Sequence, residues 1–189
     1  ERILDCCAAP GGKSMHMASL MNNTGAIMSC DIYDHKLDLM NQNAERLGVS
    51  IVSTKLQDGR YLPDNWKEQF DRVLVDAPCS GLGILQKKLD MRWRKTEDLL
   101  NELPPLQLEI LEKASEMVKV NGHLVYSTCT INRGENEDVL EKFLATHKNF
   151  VIDPVSCEGL PPASDGMIST YPPRDHMDGF FMARMKRLS

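Results

Sequence analysis

Short apolar segments alternate along this chain with longer segments whose apolar residues recur at helical spacing. The apolar segments predict strands at residues 2–6, 25–31, 51–56, 70–78, 121–129, 149–154 and 179–186. Helices are predicted at residues 13–21, 35–47 and 108–117, and after a capping box formed by Asn132 and Glu135. The alternation predicts an α/β fold, in which a seven-stranded, mostly parallel sheet is covered by helices on both faces.

Three local signals refine this prediction. Pro104 and Pro105 are expected to precede the third helix, because proline disrupts a helix interior. The Asn121-Gly122 pair predicts a tight turn before the fifth strand. Residues 153–178 are rich in Pro, Ser and Asp and are expected to form a loop. No helix then joins the last two strands, so we expect the last strand to insert antiparallel.

The segment "CCAAPGGKS", residues 6–14, resembles a nucleotide phosphate loop without matching one. A phosphate loop requires a glycine where this chain has Cys7. Pro10 has no backbone N–H to offer a phosphate. The spacing of a dinucleotide site is also absent, so the sequence indicates a ligand without a pyrophosphate.

Ligands of such sheets bind at the carboxyl ends of the strands, where several polar side chains are expected. Gly11 and Gly12 allow a close backbone approach, and Asp31 lies about 20 residues further on, where an acid accepts hydrogen bonds from a ribose. Asp58 and Asp76 follow the third strand and end the fourth. This pattern favours an adenosine cofactor such as S-adenosylmethionine.

Two cysteines follow buried strands, Cys79 in "DAPCSG" and Cys129 in "STCT". Either one alone is typical of a small core residue. Two of them at the same sheet edge favour a catalytic role. The six cysteines show no paired spacing and no metal-ligand spacing, so we expect reduced thiols and no metal.

The composition and the charge of the chain are typical of an ordinary globular protein. The chain is 42% hydrophobic and 26% charged, with no apolar run long enough to span a membrane and no secretory leader. We therefore expect a cytoplasmic protein with no membrane partner. The net charge of −5 argues mildly against a nucleic-acid binder acting alone. The basic segment at residues 86–95 is either a solvated loop or an edge that contacts phosphates.

Four motifs together resemble the Sun/Fmu family of RNA cytosine-5 methyltransferases, most closely the bacterial members that act on small-subunit ribosomal RNA. They are "LDCCAAPGGKS", "LVDAPCSGLG", "YSTCT" followed by "ENED", and "DGFFMAR", and the similarity spans residues 3–187. The resemblance implies the Rossmann-like methyltransferase fold with an antiparallel last strand. It implies one catalytic domain at residues 1–189, which we expect to be a fragment lacking upstream RNA-binding domains.

The resemblance also implies the cofactor, the partner and the roles of the site residues. S-adenosylmethionine would contact Cys7, Ala8, Ala9, Pro10, Gly11, Gly12, Lys13, Asp31, Asp58 and Asp76. Cys129 would be the nucleophile that adds to carbon 6 of cytosine, Cys79 would assist product release, and Asp76 would stabilise charge at ring nitrogen 3. Lys13 would lower the pKa of a thiol or order the loop, two interpretations of equal weight.

The sequence leaves several alternatives open. RNA, most naturally ribosomal RNA, is the expected partner of a monomeric enzyme, and transfer RNA is an alternative substrate. A DNA cytosine-5 methyltransferase would use the cysteine of a Pro-Cys motif, which here is Cys79. A scaffold that binds the cofactor or RNA without turnover is a third interpretation. The departures from the family, Thr130 in place of serine and Lys36 in place of arginine, keep the hydroxyl and the charge.

Overall fold

A computed structural model describes residues 1–87 and 97–189, and its centre is one mixed sheet. The strands are β1 (Arg2–Asp5), β2 (Ala26–Asp31), β3 (Val52–Leu56), β4 (Phe70–Asp76), β5 (Val118–Thr128), β6 (Phe150–Ile152), β7 (Met167–Ser169) and β8 (Phe181–Arg187). The helices are α1 (Gly12–Leu20), α2 (Asp34–Leu47), α3 (Glu97–Ser115), α4 (Glu137–Thr146) and the single turn α5 (Pro172–Asp175).

The strand order is β3-β2-β1-β4-β5-β8-β6, with β7 paired to β8 beside this path. The first five strands pair in parallel, and β8 runs antiparallel to β5, β6 and β7. The predicted fold class and the antiparallel last strand are therefore confirmed. The order reverses beside β1, which places the topological switch point between β1 and β4.

Helices cover both faces of the sheet because successive strand residues point to opposite sides. Leu4 and Val73 lie on one face, in the same fully buried cluster as Leu111 of α3 and Leu140 of α4. Ile3 and Ile27 lie on the other face and pack with Ala18 of α1. The strands are thus buried on both sides, as their continuous apolar sequences predicted.

The prediction that Pro104 and Pro105 precede the third helix was wrong, because both prolines lie inside α3. Leu103, Gln107 and Ile110 are all buried and follow one another at helical spacing through the prolines. Tertiary packing of this face therefore outweighs the backbone hydrogen bonds that proline removes.

The prediction that Asn121-Gly122 forms a tight turn before the fifth strand was also wrong. These residues form an irregularity within β5, where the pairing with β4 shifts between Phe70 and Arg72. Asn121 has a positive φ of 65°, and a Cβ on Gly122 would lie 2.8 Å from the carbonyl oxygen of Asp71.

Two further differences concern the C-terminal half. The predicted loop at 153–178 contains β7 and α5, so the sheet has eight strands and not seven. Asn132 caps a 3₁₀ turn, Arg133–Glu135, and α4 begins only at Glu137. The Glu135 carboxylate accepts from the side-chain amide of Asn132 at 3.0 Å and from more distant donors, so its role extends beyond a capping box.

Candidate active site

A cavity of about 440 Å³ lies at the carboxyl ends of β1 and β4, beside the switch point. Its wall combines apolar side chains, including Ile32 and Ile110, with carboxylates and thiols. Seven of the twelve predicted site residues line it: Cys7, Ala9, Asp31, Asp58, Asp76, Cys79 and Cys129. The topology thus brings residues from five separate chain segments to one place, as the strand-end argument predicted.

The remaining five predicted residues lie in the loop between β1 and α1 and in the first turn of α1, and they have different environments. The Ala8 amide donates to the carbonyl of Cys30 at 2.8 Å, and its methyl group is buried. Pro10 is exposed. Gly11 has φ 101°, and a Cβ there would lie 2.8 Å from Cγ of Met40, so glycine is required for packing. Gly12 opens α1 with free space where a Cβ would project, which leaves room for a ligand.

Asp31 ends β2 and fixes the position of this loop. Its carboxylate accepts from the backbone amides of Ala9 and Tyr33, each at 3.1 Å. The residue is buried but still lines the cavity, and each carboxylate oxygen has a further lone pair. The arrangement fits a ribose, whose hydroxyl groups donate to such an acid.

Asp58 is held by a residue that the sequence reasoning missed. Arg60 donates through Nη2 to Oδ2 of Asp58 at 2.7 Å and through Nε to Oδ1 at 3.1 Å. These hydrogen bonds keep the pKa of the Asp58 carboxyl below its usual range. The signal was local, since Arg60 lies two residues further along the same "QDGR" segment. A contact between Asp58 and the cofactor stays a prediction.

Lys13 reaches from α1 to the end of β4. Its Nζ donates to Oδ2 of Asp76 at 2.6 Å, and Ser127 donates to Oδ1 of Asp76 at 2.8 Å. Ser127 is the penultimate residue of the neighbouring strand β5, and no motif in the sequence identified it. The contact supports the loop-ordering interpretation of Lys13. Its charge also lowers the pKa of the Cys129 thiol, against a larger raising effect of Asp76.

The two predicted cysteines are in direct contact. The Sγ atoms of Cys79 and Cys129 are 3.2 Å apart, and the backbone amide of Cys129 donates to Sγ of Cys79 at 3.3 Å. Both residues are half-buried, and both line the cavity. All six cysteines of the chain are free thiols in the structure. The contact between these two places one sulfur in position to stabilise charge on the other.

The thiol pair has an asymmetric acidity. A hydrogen bond from Cys79 lowers the pKa of Cys129 from its ordinary 9.0 to about 7. The same hydrogen bond, together with burial, raises the pKa of Cys79. When the pair loses one proton, the negative charge therefore lies on Cys129 and the remaining proton on Cys79. A thiolate is the form in which cysteine acts as a nucleophile.

Two other findings bear on the expected ligands. Across residues 1–87 and 97–189, no three His, Cys, Asp or Glu side chains come together as a metal site would require. The same residues include no helix that is both long and apolar enough to cross a membrane. Most of the basic segment at residues 86–95 lies outside the described residues.

Three features define a Rossmann-like methyltransferase fold. They are the order of the strands, the antiparallel insertion of β8 and the cavity at the switch point. Two solved structures share it closely. NSun6 from Pyrococcus horikoshii, determined with SFG, matches with a TM-score of 0.90 and 31% identity over 100% of this chain and 49% of its own. A methyltransferase homolog protein from Pyrococcus horikoshii matches with a TM-score of 0.85 and 32% identity over 100% of this chain and 62% of its own.

The model of the family described as 16S rRNA methyltransferase RsmB/F matches residues 1–186. A probable ribosomal RNA small subunit methyltransferase B of Bacillus subtilis (strain 168) is 42% identical over 99% of this chain and 43% of its own length. A ribosomal RNA small subunit methyltransferase F of Escherichia coli O1:K1 / APEC is 34% identical over 99% of this chain and 40% of its own. The chain therefore belongs to the RsmB/F family.

Family membership confirms the resemblance to the Sun/Fmu enzymes and the predicted cofactor, S-adenosylmethionine. The cavity fits this cofactor, because it combines an apolar wall with the Asp31 carboxylate and offers no phosphate cradle. The chain spans less than half the length of the curated relatives described above.

Proposed function

We propose that the protein transfers a methyl group from S-adenosylmethionine to carbon 5 of a cytosine in ribosomal RNA, through a covalent bond between Cys129 and the base. The observation that carries this proposal is the Cys79–Cys129 pair, with sulfurs 3.2 Å apart in the cavity that Asp76 also lines. The names of the B and F relatives support ribosomal RNA as the substrate.

The residues divide the reaction among them. The Cys129 thiolate adds to carbon 6 of cytosine, and the electron pair of the 5,6 double bond makes carbon 5 nucleophilic. A proton held between ring nitrogen 3 and Asp76 neutralises the charge that develops on the ring. When bound, S-adenosylmethionine supplies the methyl group as an electrophile. The proton on carbon 5 then leaves through Cys79 to solvent, the double bond re-forms, and Cys129 departs as a thiolate.

The target base must leave its stack to reach a cavity between strand ends. RNA loops and single strands offer such bases at low cost. The cavity is lined by Cys129 and also by Asp31, which supports the proposal that it takes both a base and a nucleoside cofactor.

The direct test uses the full-length protein, labelled S-adenosylmethionine and three substrates: small-subunit ribosomal RNA, transfer RNA and duplex DNA. We expect label in ribosomal RNA, and bisulfite mapping should show one protected cytosine that is lost in cells lacking the gene. Binding of the cofactor without transfer to any substrate would instead support the scaffold interpretation. Label on transfer RNA alone would keep the chemistry and change the substrate.

Replacement of Asp31 by alanine should weaken S-adenosylmethionine binding about 10-fold to 100-fold, since hydrogen bonds to a charged group contribute about 1.5–3 kcal/mol. Calorimetric titration measures this directly. Asp38→Ala is the matched control, because Asp38 is an exposed acid on α2 that does not line the cavity. Equal affinities for the two variants would contradict a ribose contact at Asp31.

A further inference from the structure

Both cysteine loops are attached to one buried carboxylate, Glu135. Its Oε2 accepts from the backbone amide of Ser80 at 2.7 Å and from Nε2 of Gln107 at 3.1 Å, and its Oε1 accepts from the Asn132 side chain. Glu135 is completely buried. A buried carboxylate destabilises the folded state unless it accepts hydrogen bonds. Glu135 therefore depends on these three donors.

The network holds the chain on both sides of Cys79. Ser80, which follows Cys79, donates its amide to Glu135, and Pro78, which precedes it, accepts from Nε2 of Gln107 at 2.9 Å. Gln107 is itself fully buried in α3. The carbonyl before Cys79 and the amide after it are therefore fixed by one pair of side chains.

The next residue along the chain does the same for Cys129. Oδ1 of Asn136 accepts from the hydroxyl of Thr128 at 2.5 Å, and Nδ2 of Asn136 donates to the carbonyl of Thr130 at 3.0 Å. A further hydrogen bond of 2.8 Å joins the hydroxyls of Ser80 and Thr130. The two cysteine loops are thus tied to the same dipeptide and to each other.

We propose that Glu135 and Asn136 are positioning residues that set the separation of the Cys79 and Cys129 sulfurs. Neither residue lines the cavity. Within residues 1–87 and 97–189, their side-chain hydrogen bonds all go to residues that flank the cysteines or support their loops. The contact of 3.2 Å between the two sulfurs depends on two loops from β4 and β5, which no covalent link joins. The assignment of Cys129 as nucleophile rests on the proposed function, whereas the geometry of the sulfurs does not.

Glu135→Gln tests the proposal while keeping the size of the side chain. One carboxylate oxygen becomes an NH₂ group, which is a hydrogen-bond donor. This group then faces another donor, either the Ser80 amide or the Asn132 side chain, and the loop must shift. We expect the pH midpoint for alkylation of Cys129 by iodoacetamide to rise by about 1 unit, because the hydrogen bond from Cys79 weakens. We also expect diamide to form the Cys79–Cys129 disulfide about 10-fold more slowly, since proximity sets its rate.

The chain offers matched controls for both measurements. Glu141→Gln is the control substitution. Glu141 lies on α4, is exposed and forms an ion pair with Arg133. Cys157 is exposed, so its alkylation rate reports general thiol chemistry in every variant. Asn136→Asp replaces the donor to Thr130 by an acceptor and should shift the same two readouts. If Glu135→Gln does not fold, Gln107→Met, which removes the support of Pro78, takes its place.

The outcomes separate positioning from a purely structural role. A lower melting temperature with an unchanged alkylation midpoint and disulfide rate would overturn the proposal. Neither measurement needs RNA or a methyl donor, so both remain valid if the proposed methyl transfer is wrong. If methyl transfer is confirmed, the variant should lower kcat and leave the affinity for S-adenosylmethionine unchanged.

Discussion

Replacement of Cys129 by alanine should abolish methyl transfer to RNA, with turnover reduced by about 10⁴-fold or more. Without the thiolate no bond forms at carbon 6, and carbon 5 of cytosine stays a poor nucleophile. The measurement is transfer of labelled methyl groups under single-turnover conditions with the full-length protein. Cys157→Ala is the control, because it removes an exposed thiol outside the site and should leave the rate unchanged.

Replacement of Cys79 by alanine should give the opposite kind of defect. Cys129 still adds to the base, but the proton on carbon 5 has lost its relay, so the covalent complex accumulates. We expect an RNA–protein adduct that survives denaturing electrophoresis, together with turnover reduced by about 10²-fold to 10⁴-fold. An adduct trapped by Cys129→Ala instead would reverse the roles and favour the DNA-type use of the Pro-Cys motif.

The sequence predicted the sheet because its apolar periods are strong and local. It failed where distant packing decides the structure. Pro104 and Pro105 stay helical because the buried side chains on either side of them continue one helical face. The short strand β7 pairs with Phe181–Ala183 of β8, the part of that edge that β6 leaves unpaired. The hydrophobic pattern of residues 153–178 does not indicate this pairing.

The candidate site shows the same division between local and distant information. Motifs located Cys79 and Cys129, and the topology of parallel strands predicted that strand ends would meet. The supports of the site are separated in sequence: Glu135 accepts from Ser80, 55 positions earlier in the chain. A capping-box pattern identified Glu135 only as a local cap, because spacing alone does not show that a carboxylate turns into the core.

No sequence pattern identified Asp5 beyond its place in β1. It is buried, and its Oδ2 accepts from the Ser14 hydroxyl at 2.7 Å, which in turn contacts the Ser29 hydroxyl at 2.8 Å. Its Oδ1 has no hydrogen-bond partner within the described residues. Burial raises the pKa of the Asp5 carboxyl from 3.8 to about 7, so the folded protein favours the protonated acid.

This raised pKa makes the stability of the fold depend on pH in a defined direction. A carboxyl that is harder to ionise when folded stabilises the fold fully below its unfolded pKa of 3.8, and loses that contribution as pH rises towards about 7. The difference of about 3 pKa units corresponds to about 4 kcal/mol of unfolding free energy. Above about pH 7 the folded protein contains a buried carboxylate with one unpartnered oxygen.

Asp5→Asn should therefore stabilise the protein at pH 8 by about 4 kcal/mol and have little effect at about pH 4, since asparagine mimics the neutral acid. Urea unfolding of both proteins across this pH range gives the difference at each pH. Asp38→Asn, at an exposed acid on α2, controls for the loss of one negative charge. A difference that stays constant with pH would show that Asp5 is ionised in the folded protein throughout. The loop that follows β1 would then be built on a buried charge.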